Sequence, residues 1–323
     1  MSSTQAIIDQ VRASPKIPAP SQTVFRVLEL TRDSSCDVRV VASAVSKDAG
    51  LTAQLLREAN SALYGFNTPT SNVADACMRL GLKRVRAAVI NQHVVDGLGK
   101  TKPEGFDTSR YWQSAFATSV AARDICEEIL PKMAPAASTA GLLCDFGIGL
   151  LAFGIPQRYA GVLRQLRAPN PLPIHEIETR ELGLTHAEVG AAILSDWKLE
   201  TEIIDAVRLH HFDPLAPSDT PPSKFAGAVA AAATLADIAL NGSEMEAVGL
   251  LFAHVEAFSK DPDALVAKLL DNIVAHIQQT AETLRVEIGS MESMKSNFED
   301  LARDIPDVSS RMSFKPMDRS AFD

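Results

Sequence analysis

Apolar residues recur every three or four positions through segment after segment of this chain, and strand-like alternation is nearly absent. Val24, Val27, Leu28 and Leu30 form one stripe; Val38, Val41, Ala42 and Val45 form another; Leu51, Leu55, Leu56, Ala59 and Leu63 form a third. A helix gathers such positions onto one face, and a strand scatters them over two. The spacing therefore predicts an all-α chain of amphipathic helices. Pro18, Pro20, Pro69, Pro131, Pro156, Pro171, Pro173 and Pro214 punctuate the stripes where helices should start or stop.

The stripes divide into parts. A lead over residues 1–16 precedes a helical region over 17–105, which ends in the polar run Gly99 to Gly105. A second helical region spans 106–240 and stops at Asn241-Gly242, a plausible C-terminal cap. Residues 241–323 follow as C-terminal helices and a tail. Leu265, Leu269, Ile273, Ile277 and Leu284 predict one long helix over 261–287, lying on the body or on a partner, with the covering of the core's last apolar face as the favoured role. A polar tail from Asp307 is expected to fray.

With 323 residues, 46% of them hydrophobic, the chain can bury a large core. The net charge of −9 argues against a nucleic-acid partner. The densest basic cluster, Lys83-Arg84-Val85-Arg86, reads as solvated helix surface. The four cysteines, Cys36, Cys77, Cys126 and Cys144, form no Cys-x-x-Cys pair and fit a reducing, cytoplasmic setting. The N-terminus lacks the pattern of a signal peptide. The alanine-rich run from Ala226 to Ala239 is too short to span a bilayer, so no membrane role is expected.

Chemistry concentrates in the second region. Asp145 lies in Leu142-Leu143-Cys144-Asp145-Phe146-Gly147, His186 in Leu184-Thr185-His186-Ala187-Glu188, and Asp237 in Leu235-Ala236-Asp237, with the pair His210-His211 between them. Imidazoles and carboxylates on successive helices are how a helical domain builds an internal metal site. Adjacent helical residues diverge by about 100°, so one of His210 and His211 should face away from the other and be exposed. Asp145-Phe146-Gly147 spells a kinase triplet, but no glycine-rich phosphate loop accompanies it. The apolar flank Leu142-Leu143 favours an inert Cys144 thiol over a nucleophile. Gly147 and Gly149 suit close helix packing, and Asn60-Ser61 suits the tying of helix ends.

Several ordered runs are more specific. Ile17-Pro18-Ala19-Pro20, Lys47-Asp48-Ala49-Gly50-Leu51, Leu55-Leu56-Arg57-Glu58-Ala59-Asn60-Ser61-Ala62-Leu63-Tyr64-Gly65 and Ala76-Cys77-Met78-Arg79-Leu80-Gly81 follow one another. This series resembles the bacterial HDOD family, the HD-related output domain. The resemblance extends through Trp112-Gln113-Ser114, Gly141 to Gly147, His186 to Ala191, Trp197 and His210-His211, and covers roughly 17–237. It departs at Asp48-Ala49, where the family often has Asp-Pro, a change that should only loosen a helix start.

The resemblance implies an N-terminal helical subdomain packed on a degenerate HD-type helical domain. In the related HD phosphohydrolases, one metal would be held at the positions of Ser114, Cys144, Asp145 and Asp237. A second would be held at His186, His210 and His211, with Asp145 bridging. Ser114 and Cys144 stand where histidines are expected, and thiolate is a poor match for a hydrolytic Fe, Mn or Mg site. Two-metal hydrolysis needs both ions, so the set reads as a relic pocket. It is either a polar network, with no cofactor, or a site for a single Fe, Mn or Zn ion. The implied role is a non-catalytic signal-transduction output or scaffold protein that binds a protein partner. The alternatives are a metal-dependent phosphohydrolase acting on a nucleotide or cyclic dinucleotide, and a sensor that binds a nucleotide without turnover.

Overall fold

The computed structural model describes residues 3–17, 19–61, 68–98, 103, 105–169, 171–216 and 221–311, and among these it is helical with no strand. The first part comprises α1 (Ser3–Ala13), α2 (Gln22–Leu30), α3 (Val38–Val45), α4 (Ala49–Ala59) and α5 (Val73–Leu98), the last kinked at Gly81, whose φ of 75° is not helical. The middle comprises α6 (Thr108–Ile129), α7 (Ala134–Leu143), α8 (Phe146–Gly154), α9 (Pro156–Gln165), α10 (Ile174–Leu182), α11 (His186–Asp196), α12 (Thr201–Leu209) and α13 (Lys224–Asn241). The chain then continues through α14 (Met245–Glu256), α15 (Pro262–Leu270), α16 (Ile273–Leu284) and α17 (Glu292–Arg311).

Side-chain caps start many of these helices. Ser21 accepts from the Val24 N–H, Asp48 from Leu51, Asp107 from Arg110, Ser223 from Ala226 and Asp261 from Ala264, at 3.0–3.2 Å. Each satisfies one N–H that the helix itself leaves orphaned. Asp48 caps α4 with Ala49 as the first helical residue, so the absent proline leaves the cap intact. Asn60 exchanges two 2.8 Å hydrogen bonds with the backbone of Thr70, tying the end of α4 to the approach to α5. Ala62 to Gly65 of the motif, Pro18, and Gly99 to Lys102 with Glu104 lie outside the described residues.

One apolar core runs through the molecule, from Ile7 in α1 to Ile305 in α17. Its centre is α6, packed between α7 and α13. Buried alanines such as Ala117, Ala121, Ala228 and Ala232 let these backbones approach closely. The most apolar stretch is 131–154, long and apolar enough by composition to cross a bilayer. Its most apolar window is 78% buried inside the fold, and the helix breaks at Cys144-Asp145.

Two expectations are corrected. The single helix over 261–287 is two helices broken at Asp271-Asn272, where Asn272 takes φ −129°, ψ 0°. Asp and Asn side chains compete for nearby backbone groups and weaken a helix interior. The break turns α16 so that Ile273, Ile277, Ala281 and Leu284 are buried, with α16 packed on α6 and α4, while α15 packs on α17 and α6. The stripe thus covers the core. Arg86 is the second correction. It is buried rather than solvated, donates to the Leu28 carbonyl at 2.5 Å and pairs with Glu200 at the start of α12. Helix α17 continues to Arg311, past the expected start of fraying, and residues 312–323 lie outside the described residues.

Candidate metal centre

Three helix ends build the site. Helix α7 ends at Leu143 and α8 begins at Phe146, so Asp145 sits at the junction with φ −88° and ψ 7°. Thr185 caps α11 in a capping box with Glu188, which sets His186 in the first helical position, fully buried. The two elements touch through Gly147: a Cβ there would lie 1.9 Å from the His186 carbonyl oxygen. Only glycine permits this approach, and the approach brings Asp145 to His186.

Helix α12 supplies the pair. It ends at Leu209, so His210 is its C-terminal cap and His211 lies beyond the helix. The 100° divergence therefore does not apply. As expected, one of the pair is exposed, His211, while His210 is buried; yet their ring centroids are 3.9 Å apart and both reach the same point.

Ligand-type atoms of Asp145, His186, His210 and His211 all lie within 4.8 Å of one another. His186 Nε2 is 3.2 Å from His210 Nε2 and 3.1 Å from His211 Nε2. Asp145 Oδ1 is 3.6 Å from Nε2 of both His186 and His210. The other ring nitrogens are already committed. His186 Nδ1–H donates to Glu178 Oε2 at 2.7 Å, and His210 Nδ1–H to the Val207 carbonyl at 2.7 Å. In the neutral rings this leaves two Nε2 lone pairs facing each other, an arrangement that repels unless a cation sits among them. A proton on His186 or a divalent ion meets that need.

The electrostatics agree. Burial pulls the His186 imidazole down, but Glu178 and Asp145 outweigh it and hold its pKa above the ordinary value. Burial likewise pushes Asp145 up, but His210, His186 and Ser114 overcome it and hold the carboxyl at about 2. His211 is shifted the other way: its ring, open to solvent on one side, is desolvated where it turns into the cluster, and this, then the charges of His210, His186 and His175, keeps it well below its usual value.

The remaining sequence candidates do not join the cluster as ligands. Ser114 Oγ–H donates to Asp145 Oδ2 at 2.9 Å and orients it. Cys144 is buried and its thiol donates to the Ala140 carbonyl at 3.2 Å; burial, then Asp145, push its pKa well up, which leaves it inert. Asp237 of α13 is not among the converging ligand atoms; it accepts a hydrogen bond from Asn241, and desolvation, with a smaller push from the charge of Asp145, raises its pKa. The residues of the implied first metal site therefore do not fit a metal ion, whereas the three imidazoles and Asp145 fit one.

Three neighbours were not foreseen. Glu178 of α10 is fully buried and accepts from both the His186 N–H and Nδ1–H, each at 2.7 Å. Its other oxygen accepts from Tyr159 Oη–H at 2.5 Å. Such a carboxylate behind a metal-binding histidine fixes the tautomer and raises its basicity. His175 stacks on His211 with centroids 4.3 Å apart. A signal for Glu178 existed, since it occupies a core position in the stripe Ile174, Ile177, Glu178, Leu182.

Comparison with known proteins agrees with this architecture. The HDOD domain model matches residues 17–212, well over half of the chain, and the chain belongs to that family. An HDOD domain protein from Geobacter sulfurreducens superposes with a TM-score of 0.68 at 23% identity, covering 86% of this chain and 98% of that one. A proposed metal-dependent phosphohydrolase from Shewanella amazonensis SB2B superposes with a TM-score of 0.58 at 17% identity, covering 88% and 100%. At these identities the likeness shows the fold. An uncharacterized protein of Treponema pallidum (strain Nichols) is 25% identical over 218 residues, or 67% of this chain, and this chain spans only 41% of that relative's length.

Proposed function

We propose that this HDOD protein is a non-catalytic signalling module that holds one divalent transition-metal ion on Asp145, His186, His210 and His211. The observation that carries the reading is the convergence of imidazole Nε2 atoms whose Nδ1–H groups are already taken by Glu178 and by the Val207 carbonyl. Three nitrogens and one carboxylate suit Zn, Fe or Mn. Bound there, the ion would supply a Lewis acid and a rigid cross-link between α8, α11 and α12. Glu178 orients His186, Ser114 orients Asp145, and Gly147 sets the helix spacing.

Hydrolysis by a metal pair needs a second ion a few ångströms away. Ser114 and the inert Cys144, which stand where the family resemblance expects histidines, argue against one. The output of the module then passes through protein contacts in a bacterial cytoplasm. Phe25, Val40 and Met78 are exposed on α2, α3 and α5, which pack together, and offer a surface for a protein partner. The four free thiols suit a reducing compartment.

The test is turnover of bis(p-nitrophenyl) phosphate with added Mn or Fe. The expected result is no rate above that of an Asp145→Ala variant. A metal-dependent rate lost in that variant would overturn the non-catalytic reading and favour the phosphohydrolase.

A further inference from the structure

The turn between α11 and α12 is gripped from the other half of the molecule. His186 opens α11 and His210 caps α12, so the two packed helices form a hairpin. Its open end is the imidazole cluster, and its closed end is the run Asp196-Trp197-Lys198-Leu199-Glu200. Helices of 11 and 9 residues separate the two ends, roughly 15 Å.

Arginines from the N-terminal helices hold the closed end. Arg12 of α1 makes a two-pronged pair with Asp196, Nε to Oδ2 at 2.7 Å and Nη2 to Oδ1 at 3.0 Å. Arg32, just past α2, donates to the Lys198 carbonyl. Lys198 takes the left-handed conformation, with φ 57°, which costs a residue other than glycine. Buried Arg86 of α5 pairs with Glu200 at 2.5 Å and donates through Nη1 to the Leu28 carbonyl of α2. Such forked pairs fix orientation as well as proximity. Trp197 is buried in the same turn. Its ring centroid is 5.2 Å from that of His93 on α5 and 5.3 Å from that of Phe146, the residue after Asp145. The segments that carry Asp145, His186 and His210 thus all reach one turn, and α1, α2 and α5 hold that turn.

The open end has two arrangements. An ion among the rings cross-links α11 and α12. Without one, the Nε2 lone pairs of neutral His186 and His210, 3.2 Å apart, push the helices apart. Packed helices pass such a change along their length to the turn. We infer that the α11–α12 hairpin is a lever that couples metal loading to the docking of α1, α2 and α5, so that the exposed Phe25 surface on α2 responds to the ion. This inference rests on the reading of the cluster as a metal site. Coupling of this kind changes affinity by about 5–150-fold.

The test combines Zn affinity by competitive titration with amide hydrogen exchange of the full chain, with and without Zn. In wild type, Zn should slow exchange in α2 more than in α15, which packs on α6, α14, α16 and α17. Arg86→Met should lower Zn affinity at least about fivefold and remove the extra protection of α2. Should Arg86→Met not fold, the double variant Arg12→Met, Arg32→Met removes two exposed ties and should act the same way. The double variant Arg26→Met, Arg39→Met removes two exposed arginines of α2 and α3 that pair with Glu29 and Asp37, and should match wild type. A grip that only stabilises the fold would lower metal-free melting and leave Zn affinity and the protection of α2 unchanged. That result overturns the inference while the metal centre stands, and so does an equal loss in the Arg26, Arg39 variant. Wild-type protein that takes up no Zn overturns the metal centre and the inference together.

Discussion

Replacing Glu178 separates what holds the site from what tunes it. The carboxylate is fully buried and accepts three hydrogen bonds, from Tyr159 Oη–H, the His186 N–H and His186 Nδ1–H. Glu178→Leu strands all three donors. An unsatisfied buried donor costs about 1–3 kcal/mol. The desolvation cost of the lost carboxylate is recovered in part, so the lower end applies, about 3 kcal/mol in all. That is a large share of the ~5–15 kcal/mol that stabilises a typical protein, and metal-free protein should lose about 4 °C or more in Tm. Glu178→Gln keeps an acceptor for His186 and a partner for Tyr159, because the tyrosine hydroxyl can turn and accept from the new amide. Its fold should survive with a small loss. What it removes is the negative charge behind the imidazole, and metal affinity should fall about 10–100-fold, or about 1.4–2.7 kcal/mol. The assay pairs metal-free melting with a competitive Zn titration. Wild-type affinity in Glu178→Gln, or equal melting of Glu178→Leu and Glu178→Gln, would refute the reasoning.

Further outcomes follow from other parts of the fold. Burial holds His254 at about 4, against an ordinary histidine near 6.5. The folded ring therefore stays neutral while the unfolded one protonates, so stability is full above pH 6.5 and falls as pH drops toward 4. The lost span of about 2.5 units corresponds to about 3 kcal/mol. Urea melts at pH 7 and pH 4.5 should show most of it, and His254→Phe should flatten this step; an unchanged pH profile in His254→Phe counts against it. Gly147→Ala forces a Cβ to within 1.9 Å of the His186 carbonyl oxygen; the variant should lose several kcal/mol, on the order of an overpacked core, together with the metal. Native-like melting and metal content in Gly147→Ala would contradict the packing account. Only Cys36 is not buried, and burial raises Cys77 to about 11 and Cys126 to about 12. Native protein should therefore react at one thiol with a disulfide reagent and denatured protein at four, and rapid native reaction of Cys144 would overturn its assignment as inert.

Much of the architecture was legible because it depends on local rules. The stripe beginning at Val24 became α2 with Ser21 as its cap, and Asn241-Gly242 ended α13, because helix faces and caps are written over a few neighbouring residues. The ordered HDOD runs named the family. The break at Asp271-Asn272 escaped because apolar spacing continues across it. Arg86 escaped because its burial depends on Leu28 and Glu200, neither of them near it in sequence. At the site, residue types pointed to Asp145, His186, His210 and His211, but not to how they would meet. The convergence of His210 and His211 depends on where α12 stops. Glu178 acts through a hydrogen bond from one helix to the start of the next, which periodicity alone does not report.

The account rests most on the single ion at the imidazole cluster. The direct measurement is the metal-to-protein ratio by elemental analysis of protein purified without chelator, beside His210→Ala and Asp145→Ala. The account predicts close to one Fe, Mn or Zn per chain, lost in both variants while the fold persists. A folded wild-type protein without metal, or a ratio near two, would contradict it.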